Sequence, residues 1–249
     1  MLCGGLCKMA KRELTISSLS EDIEQLMTEI GTGDLPLSQR AYFIIKDLII
    51  NLKLIPGQMI LEKEVVAALG MSRTPVREAL VRLEMEGWIQ IVPRRGFVVV
   101  EIKVEDIQQI FEVVESLDEL ATSLATRHGT DEAFATLEQM IQMQEEALDA
   151  DDLLAWLNLD MLFHKKIMDM SNNLRLKRLR ESEYDHLYRL SLYTIEGRTP
   201  PRTSVIEHRA IITSMMAREG EAARLLLKTH RMRTLEDIKQ ALERIKNTH

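Results

Sequence analysis

The sequence predicts a mainly α-helical protein in two parts, the first with three short helices and a β-hairpin, the second an all-α helical bundle. The chain has 249 residues, enough for two domains with separate cores. Only 4% of the residues are aromatic, while Leu, Ile, Met and Ala are abundant, a composition that favours helices. Most segments carry apolar residues at helical spacing, and two short runs near residues 88–100 read as strands.

We divide the chain into an N-terminal extension (1–34), a first domain (35–101) and an all-helical domain (102–249). The formal net charge is −7, but it is unevenly distributed. Residues 35–103 hold 10 Lys and Arg against 7 Asp and Glu, whereas the rest of the chain is acidic. A modestly basic module on an acidic protein indicates a sequence-specific nucleic-acid binder rather than a non-specific coat protein.

Three helices are expected in the first domain. The first begins near Ser38 as its N-cap and ends before Pro56-Gly57. The second covers residues 61–69, with Gly70 ending it. The third follows Ser72, a second N-cap, and tolerates Pro75 in its first turn, where backbone N–H groups have no helical partner. Two residues separate the second and third helices, the tight spacing of a helix-turn-helix.

The third helix presents basic side chains on one face. Val76, Leu80 and Leu83 form its apolar stripe, while Arg73 and Arg77 stand one turn apart on another face beside Thr74. Forked guanidinium groups suit the major groove of DNA, where arginine pairs with guanine. A surface helix with solvated arginines is the simpler interpretation of this helix taken alone.

A basic hairpin follows and favours DNA binding over that simpler interpretation. Residues 88–92 and 97–100 read as strands joined by Pro93-Arg94-Arg95-Gly96. This wing carries Arg94 and Arg95 at its tip, where they can reach backbone phosphate or the minor groove.

Several motifs in residues 35–101 carry a family resemblance. They are Pro56-Gly57, Leu61-Glu62-Lys63-Glu64, the run from Ser72 to Leu80, and Pro93 to Gly96. Together they resemble the winged helix of the GntR family of bacterial transcription regulators. The resemblance implies that Arg73 and Arg77 read bases and that Lys63 and Gly96 lie at the DNA. Many members have arginine at the position of Lys63; lysine keeps the charge and loses the bidentate fork.

Six helices are expected in residues 102–249, at about 104–127, 131–148, 151–170, 173–196, 203–218 and 221–246. Four potential metal ligands lie on the apolar stripes of three of them. Asp160 and His164 are one turn apart on the third, His208 lies on the fifth, and His230 lies on the last. A buried aspartate needs a partner, and a divalent cation would satisfy all four groups. Taken singly, each histidine is more simply a hydrogen-bonded core residue.

The spacing of these residues resembles the metal-binding pattern of the FCD effector domain, found in the FadR subfamily of GntR regulators. Phe163-His164, Asn173 to Leu176 and Glu207 to Ile211 strengthen the match. The resemblance implies one zinc, nickel or manganese ion per subunit beside a small organic-acid effector. Oxygen and imidazole ligands permit all three metals. His128, His186 and His249 fall outside this pattern.

The first effector-domain helix departs from the family. Many members carry an arginine there that grips the carboxylate of the effector, and this chain has Val114 at that position. Valine cannot anchor a carboxylate. Either another arginine replaces it, with Arg189 as a guess from its helix, or the effector meets the metal directly.

Two functions from different classes follow. The first is a ligand-responsive, metal-containing repressor that binds a short palindromic operator in double-stranded DNA as a homodimer. The second is a metalloenzyme in which the same site activates water. The absence of an evident general base, such as the Glu of a His-Glu-x-x-His helix, counts against the enzyme.

Nothing in the sequence indicates secretion or a membrane span. No apolar run reaches the roughly 20 residues that a bilayer requires. Cys3 and Cys7 are too few for a zinc site or a disulfide framework, and Met9 is an alternative start to Met1. The sequence therefore predicts a cytoplasmic protein.

Overall fold

The computed structural model describes residues 16–29 and 35–247, which belong to two compact units divided between Ile102 and Lys103. Cys3, Cys7, Met9 and His249 lie outside the described residues. The predicted fold class is confirmed: a winged helix-turn-helix is followed by an all-α unit.

The first unit combines helices with a small antiparallel sheet. Its elements are a 3-10 turn (Ile16–Leu19), α1 (Ser20–Glu29), α2 (Leu37–Ile50), β1 (Met59–Ile60), α3 (Glu62–Leu69), α4 (Arg73–Met85), β2 (Ile89–Val92) and β3 (Gly96–Val99). The strand order in the described sheet is β1-β3-β2, and β2 pairs with β3 from Ile89 opposite Val99 to Val92 opposite Gly96. The two-residue β1 is too short to have been recognised as a strand in the sequence.

The helix-turn-helix forms as predicted, except at the helix starts. Gly70 ends α3 in the left-handed conformation at φ +60°, and α4 begins three residues later. The prediction that Ser38 caps α2 is wrong. Pro36 is the N-cap, because its backbone is not helical (φ −53°, ψ 144°) and its carbonyl accepts the N–H groups of Gln39 and Arg40. Ser72 is the N-cap of α4, although within the described residues its hydroxyl makes no capping hydrogen bond.

The N-terminal segment packs on the winged helix, which sequence reasoning missed. Ile16, Leu19 and Ile23 are at most 3% exposed and join the same core as α2, α3 and α4. Lys53 forms an ion pair with Asp22 at 2.9 Å. The three apolar residues Ile16, Leu19 and Ile23 are spaced three and four residues apart, which is helical spacing. The segment was therefore detectable in the sequence as a short amphipathic helix.

The second unit is all-helical. Its elements are α5 (Val104–His128), α6 (Asp131–Asp149), α7 (Leu153–Met170), α8 (Leu174–Thr194), a 3-10 turn (Ile195–Gly197), α9 (Arg202–Met216) and α10 (Gly220–Asn247). Side chains fix the starts of three of them, since Thr130 accepts the N–H of Ala133, Asp152 accepts that of Ala155 and Asn173 accepts that of Leu176. On α10 the buried face runs through Leu227, whereas the adjacent Leu226 is 36% exposed. No described helix is long and apolar enough to span a bilayer.

A buried ion cluster joins α5, α8 and α10. Asp118 on α5 accepts a hydrogen bond from Arg180 Nε at 2.9 Å and another from Arg231 Nε at 3.0 Å. The three side chains are at most 6% exposed. Burial by itself would raise the pKa of Asp118, but the two guanidinium groups lower it below its ordinary value. The cluster therefore cross-links three helices through one ionised carboxylate.

We expect Gly96→Ala to destabilise the first unit. A Cβ at Gly96 would lie 2.1 Å from the carbonyl oxygen of Ile60, and φ is +119°. Overpacking and backbone strain each cost about 1–3 kcal/mol, so urea denaturation should show a loss of at least about 2 kcal/mol. Gly87→Ala is the control, because at φ +77° nothing lies within 4 Å of its Cβ and only about 1–2 kcal/mol of strain applies. Equal losses would contradict the close approach.

We expect Asp118→Asn to cost about 3–5 kcal/mol at neutral pH, because two buried guanidinium groups lose their carboxylate. The exposed Asp149–Arg202 pair supplies the control, and Asp149→Asn should change stability by less than about 0.5 kcal/mol. Since the folded pKa of Asp118 is lowered, its contribution is complete above the unfolded pKa of about 3.9 and is lost as the pH falls through the lower folded value. Denaturation midpoints of wild type and variant should therefore converge in acid; convergence in alkali instead would contradict this account.

Candidate DNA-binding surface and metal centre

The predicted base-reading residues lie exposed on α4. Arg73, Thr74 and Arg77 occupy its first two turns with solvent-exposed side chains. Val76 and Leu80, from the same turns, are buried in the core. The helix thus presents two guanidinium groups outward while its apolar stripe fixes its rotation.

The other end of α4 is anchored by contacts that sequence reasoning missed. Tyr42 on α2 donates its hydroxyl to Glu86 at 2.6 Å, and Arg82 donates Nε to the same carboxylate at 3.0 Å. The Arg82 guanidinium also lies 3.7 Å from the centre of the Tyr42 ring. Glu84 accepts the N–H of Ile91 at 2.7 Å, which joins α4 to β2. These contacts hold α4 against α2 and the hairpin.

The wing turn abuts the start of α3. A Cβ at Gly96 would lie 3.0 Å from the Cα of Leu61, the residue that precedes α3. Lys63, in the first turn of α3, is exposed, as are Arg94 and Arg95. Gly96 therefore has a packing reason to be glycine, independent of any contact with DNA.

Asp160, His164, His208 and His230 come together at the centre of the second unit. They extend from α7, α9 and α10, and none is more than 8% exposed. One ligand atom from each lies within 4.8 Å of every other. Asp160 Oδ1 is 3.5 Å from His208 Nε2 and 3.9 Å from His164 Nε2, and the Nε2 atoms of His208 and His230 are 3.4 Å apart. The helical periodicity of three separate segments thus predicted one cluster.

Two neighbours orient the imidazole rings. His230 Nδ1 lies 2.7 Å from Glu207 Oε2, and because a carboxylate can only accept, Nδ1 carries the proton. His208 Nδ1 lies 2.9 Å from Gln144 Oε1, while the amide nitrogen of Gln144 donates to the Leu159 carbonyl. Both rings therefore turn an Nε2 lone pair toward the cluster, the arrangement seen where histidine binds metal.

His164 has an unsatisfied nitrogen. Its Nε2 is buried, and no hydrogen-bond partner for it exists among the residues that the structure describes. Burial lowers the pKa of His164 and His208 well below the usual histidine value, which favours neutral imidazoles with free lone pairs. Burial raises the pKa of Asp160, because the interior disfavours the charged carboxylate. A carboxylate, neutral imidazoles and an orphaned nitrogen fit a divalent metal ion.

A second layer supports the cluster. Arg233 donates Nε and Nη2 to the two oxygens of Glu207, at 2.7 and 2.6 Å. Partial burial would raise the pKa of Glu207, but hydrogen bonds from His230 and Arg233 lower it to about 2. The carboxylate thus stays ionised and holds the His230 ring. Sequence reasoning missed Glu207 and Gln144; the signal for Gln144 was a glutamine on the buried stripe of its helix.

Two cavities flank the cluster. One, of about 20 Å³, reaches Asp160 and is also lined by Arg198, Arg231 and Arg233. The other, of about 260 Å³, reaches His164 and lies between α7 and α8; Arg180 and Tyr184 also line it. The guessed effector residue, Arg189, is buried on α8 and lines neither of these cavities. Val114 is fully buried on α5.

Two of the histidines set aside in the sequence lie away from the cluster. His128, at the end of α5, bonds through Nδ1 to the Ser171 carbonyl at 3.2 Å. His186 lies on α8 and is partly exposed. Neither belongs to the group of converging ligand atoms.

Comparison with known proteins identifies both units. A profile described as bacterial regulatory proteins, gntR family, matches residues 37–99, and the FCD domain matches residues 109–234. The relatives are similarly named. The uncharacterized HTH-type transcriptional regulator YdhC of Bacillus subtilis is 29% identical over 211 residues, 84% of this chain and 93% of YdhC. A regulator from the TAR-I ttuE-ttuC' intergenic region of Agrobacterium vitis is 33% identical over 166 residues, 64% of this chain and 97% of that protein.

The HTH-type transcriptional repressor RspR of Escherichia coli is 26% identical over 216 residues, 82% of this chain and 90% of RspR. Among solved structures, that of E. coli McbR/YncC superposes with a TM-score of 0.69 at 24% identity, covering 83% of this chain and 99% of that one. At this identity the likeness shows the shared fold. The family and these relatives are transcriptional regulators and not enzymes, and this protein belongs to the GntR family of bacterial transcriptional regulators, in the group that carries an FCD domain.

Proposed function

We propose that this regulator is a repressor whose affinity for its operator is modulated by a small carboxylate effector bound at a divalent metal site. The observation that carries the proposal is the converging set of Asp160, His164, His208 and His230, with His164 Nε2 left unsatisfied. The name of RspR as a repressor supports the sign of regulation. The assignment as a DNA-binding regulator rests on the family itself.

The DNA side of the proposal rests on exposed basic residues of the winged helix. Arg73, Thr74 and Arg77 on α4 are the proposed base-contacting residues, because guanidinium groups pair with guanine in the major groove. Lys63, Gly96 and the wing arginines Arg94 and Arg95 are proposed to lie at the sugar-phosphate backbone or the minor groove. Apart from Gly96, which has no side chain and is partly buried, the residues in this set have exposed side chains.

The metal side rests on four donors that need a cation. Asp160 would supply a carboxylate oxygen, and the three histidines would supply imidazole nitrogens. Zinc, nickel and manganese all accept this mixture. When bound, the metal would add positive charge and free coordination positions that a carboxylate can occupy. Gln144 and Glu207 would keep two of the imidazole rings turned toward it.

The proposed effector acts through linkage. It can change DNA affinity only to the extent that it binds one arrangement of the protein more tightly than another. The four donors lie on three helices, so any shift in coordination is shared among α7, α9 and α10.

We also propose that the protein acts as a homodimer. One winged helix contacts too few bases for selective binding, and two copies related by a dyad would read a short palindrome.

Arg73→Ala and Arg77→Ala should each cost about 1–3 kcal/mol of operator binding and relax base preference. Arg94→Ala should instead weaken operator and random DNA alike and flatten the salt dependence, as loss of a phosphate contact does. The operator would first be recovered by selecting genomic fragments that bind the purified protein. Unchanged operator affinity in Arg73→Ala would remove α4 as the base-reading helix.

Protein purified without chelator should contain one divalent metal ion per chain by elemental analysis, and His208→Ala should lose it. Because ligand binding stabilises the folded state, chelation should lower the melting temperature of the wild type; saturation at 100 times Kd corresponds to about 2.7 kcal/mol. His128→Ala is the control, because His128 lies outside the cluster. Its metal content should match the wild type. Wild-type protein that takes up no metal when zinc, nickel or manganese is supplied would rule out the site.

Sedimentation of the full chain at micromolar concentration should give twice the monomer mass, and the selected operator should contain two inverted half-sites. Since the mass of the chain is 28.6 kDa, dimer and monomer are readily separated. A monomer both alone and on DNA would contradict the homodimer.

A further inference from the structure

The larger cavity beside the cluster has a charged rim and a buried inner end. Lys165, Asp169 and Glu181 line it with exposed side chains, so its rim is wet. His164 and Arg180 line it as buried residues, at 4% and 5% exposure. At about 260 Å³ it exceeds the roughly 10–15 Å³ that one water needs, and it can accept a small organic molecule.

Arg180 has an unused donor. Its Nε is committed to Asp118, but its Nη1 is buried and finds no hydrogen-bond partner in the described part of the chain. A buried guanidinium donor without a partner is costly, and a carboxylate is the group that best satisfies it. Arg180 and His164 are thus two buried side chains with unsatisfied nitrogens on one cavity.

The charges around this end of the cavity favour an anion. Asp118 is shared by the two guanidinium groups of Arg180 and Arg231, which leaves one positive charge in excess. At the neighbouring cluster, a divalent metal bound by one carboxylate and neutral imidazoles would leave a second positive charge in excess. Buried charge in excess requires an opposite charge, and a carboxylate ligand supplies it.

Arg180 also lies near the region of α5 where Val114 stands in place of the arginine that many family members have. Asp118 lies one helical turn beyond Val114 on α5, and both side chains are buried on that face. By bonding to Asp118, the guanidinium of Arg180 reaches from α8 to this region of α5. An arginine from another helix therefore lies close to where the family resemblance expects one.

The smaller cavity is a weaker candidate. It reaches Asp160 and is lined by arginines, and Arg198 Nε is also buried without a partner among the described residues. Its volume of about 20 Å³ admits about one water and no carboxylic acid.

We infer that the cavity between α7 and α8 is the effector pocket and that Arg180 replaces the missing arginine as the group that holds the effector's carboxylate. The inference deepens the proposed function and rests on it.

Arg180 also links the pocket to the rest of the unit. Its hydrogen bond to Asp118 joins it to α5, and α5 begins two residues after the first unit ends. Asp118 also accepts a hydrogen bond from Arg231, which is adjacent to His230 in the chain. A carboxylate bound to Nη1 would share the Arg180 guanidinium with Asp118 and would thereby act on the contact between α8 and α5.

The test uses the full chain loaded with cobalt(II), whose visible spectrum reports on its ligands. Acetate and succinate are titrated as probes, with acetamide as the uncharged control. Wild type should respond to both carboxylates and not to acetamide. Arg180→Gln should bind one cobalt per chain as wild type does but bind each carboxylate about 10- to 100-fold more weakly, the range for a lost hydrogen bond to a charged group. Arg231 still neutralises Asp118 in this variant, which favours folding.

Arg178→Gln, an exposed change on the same helix, should match wild type in both measurements. Arg180→Lys is a second variant, and it keeps the charge. It should bind carboxylates more weakly than wild type, because an ammonium group lacks the planar guanidinium fork that can hydrogen-bond to Asp118 and to the ligand at the same time. Carboxylate affinity that survives both Arg180 changes, or that is lost in Arg198→Gln instead, overturns the inference. Cobalt binding without any carboxylate response also overturns it and leaves the metal site standing, whereas a chain that binds none of cobalt, zinc, nickel and manganese overturns the metal site of the proposed function.

Discussion

The second unit depends on one constraint, which is that polar groups held away from water must satisfy one another. Asp160 and three histidines occupy the centre of a helical bundle, where an unpaired charge or lone pair is costly. Gln144 and Glu207 each satisfy one ring nitrogen, and Arg233 in turn satisfies Glu207. What remains is a set of ligand atoms that face each other, and the proposed divalent cation would complete it.

The sequence alone was sufficient to predict the fold class and the residues that meet at the centre. A polar residue on an apolar stripe has one direction to point, so the stripes of α7, α9 and α10 brought Asp160, His164, His208 and His230 inward without any knowledge of packing. The same reasoning gave the buried and exposed faces of α4. Local periodicity is strong in long helices, and the predictions were strongest there.

Contacts between distant segments could not be predicted in this way. Gln144 and His208 are 64 residues apart, and Asp118 and Arg231 are 113 residues apart. Arginine in a helix ordinarily reads as a surface residue, so the burial of Arg180 and Arg231 became visible only with the bundle assembled. The suggestion that Arg189 binds the effector rests on its helix alone, and Arg189 lines neither of the two cavities beside the cluster. The position of a residue in a helix does not fix the direction in which a long side chain extends. The start of α2 at Pro36 depended on one backbone conformation, which composition does not specify.

The N-terminal segment determines where a fragment that contains only the DNA-binding unit should begin. Ile16, Leu19 and Ile23 contribute to the same apolar core as α2 and α3, so a fragment cut at the edge of the gntR-family match, near residue 37, would lack part of its interior. The apolar surface uncovered on α3 would be open to solvent and to other copies of the fragment. In the described part of the chain the folded module therefore extends back to Ile16, about twenty residues before the boundary that family similarity marks.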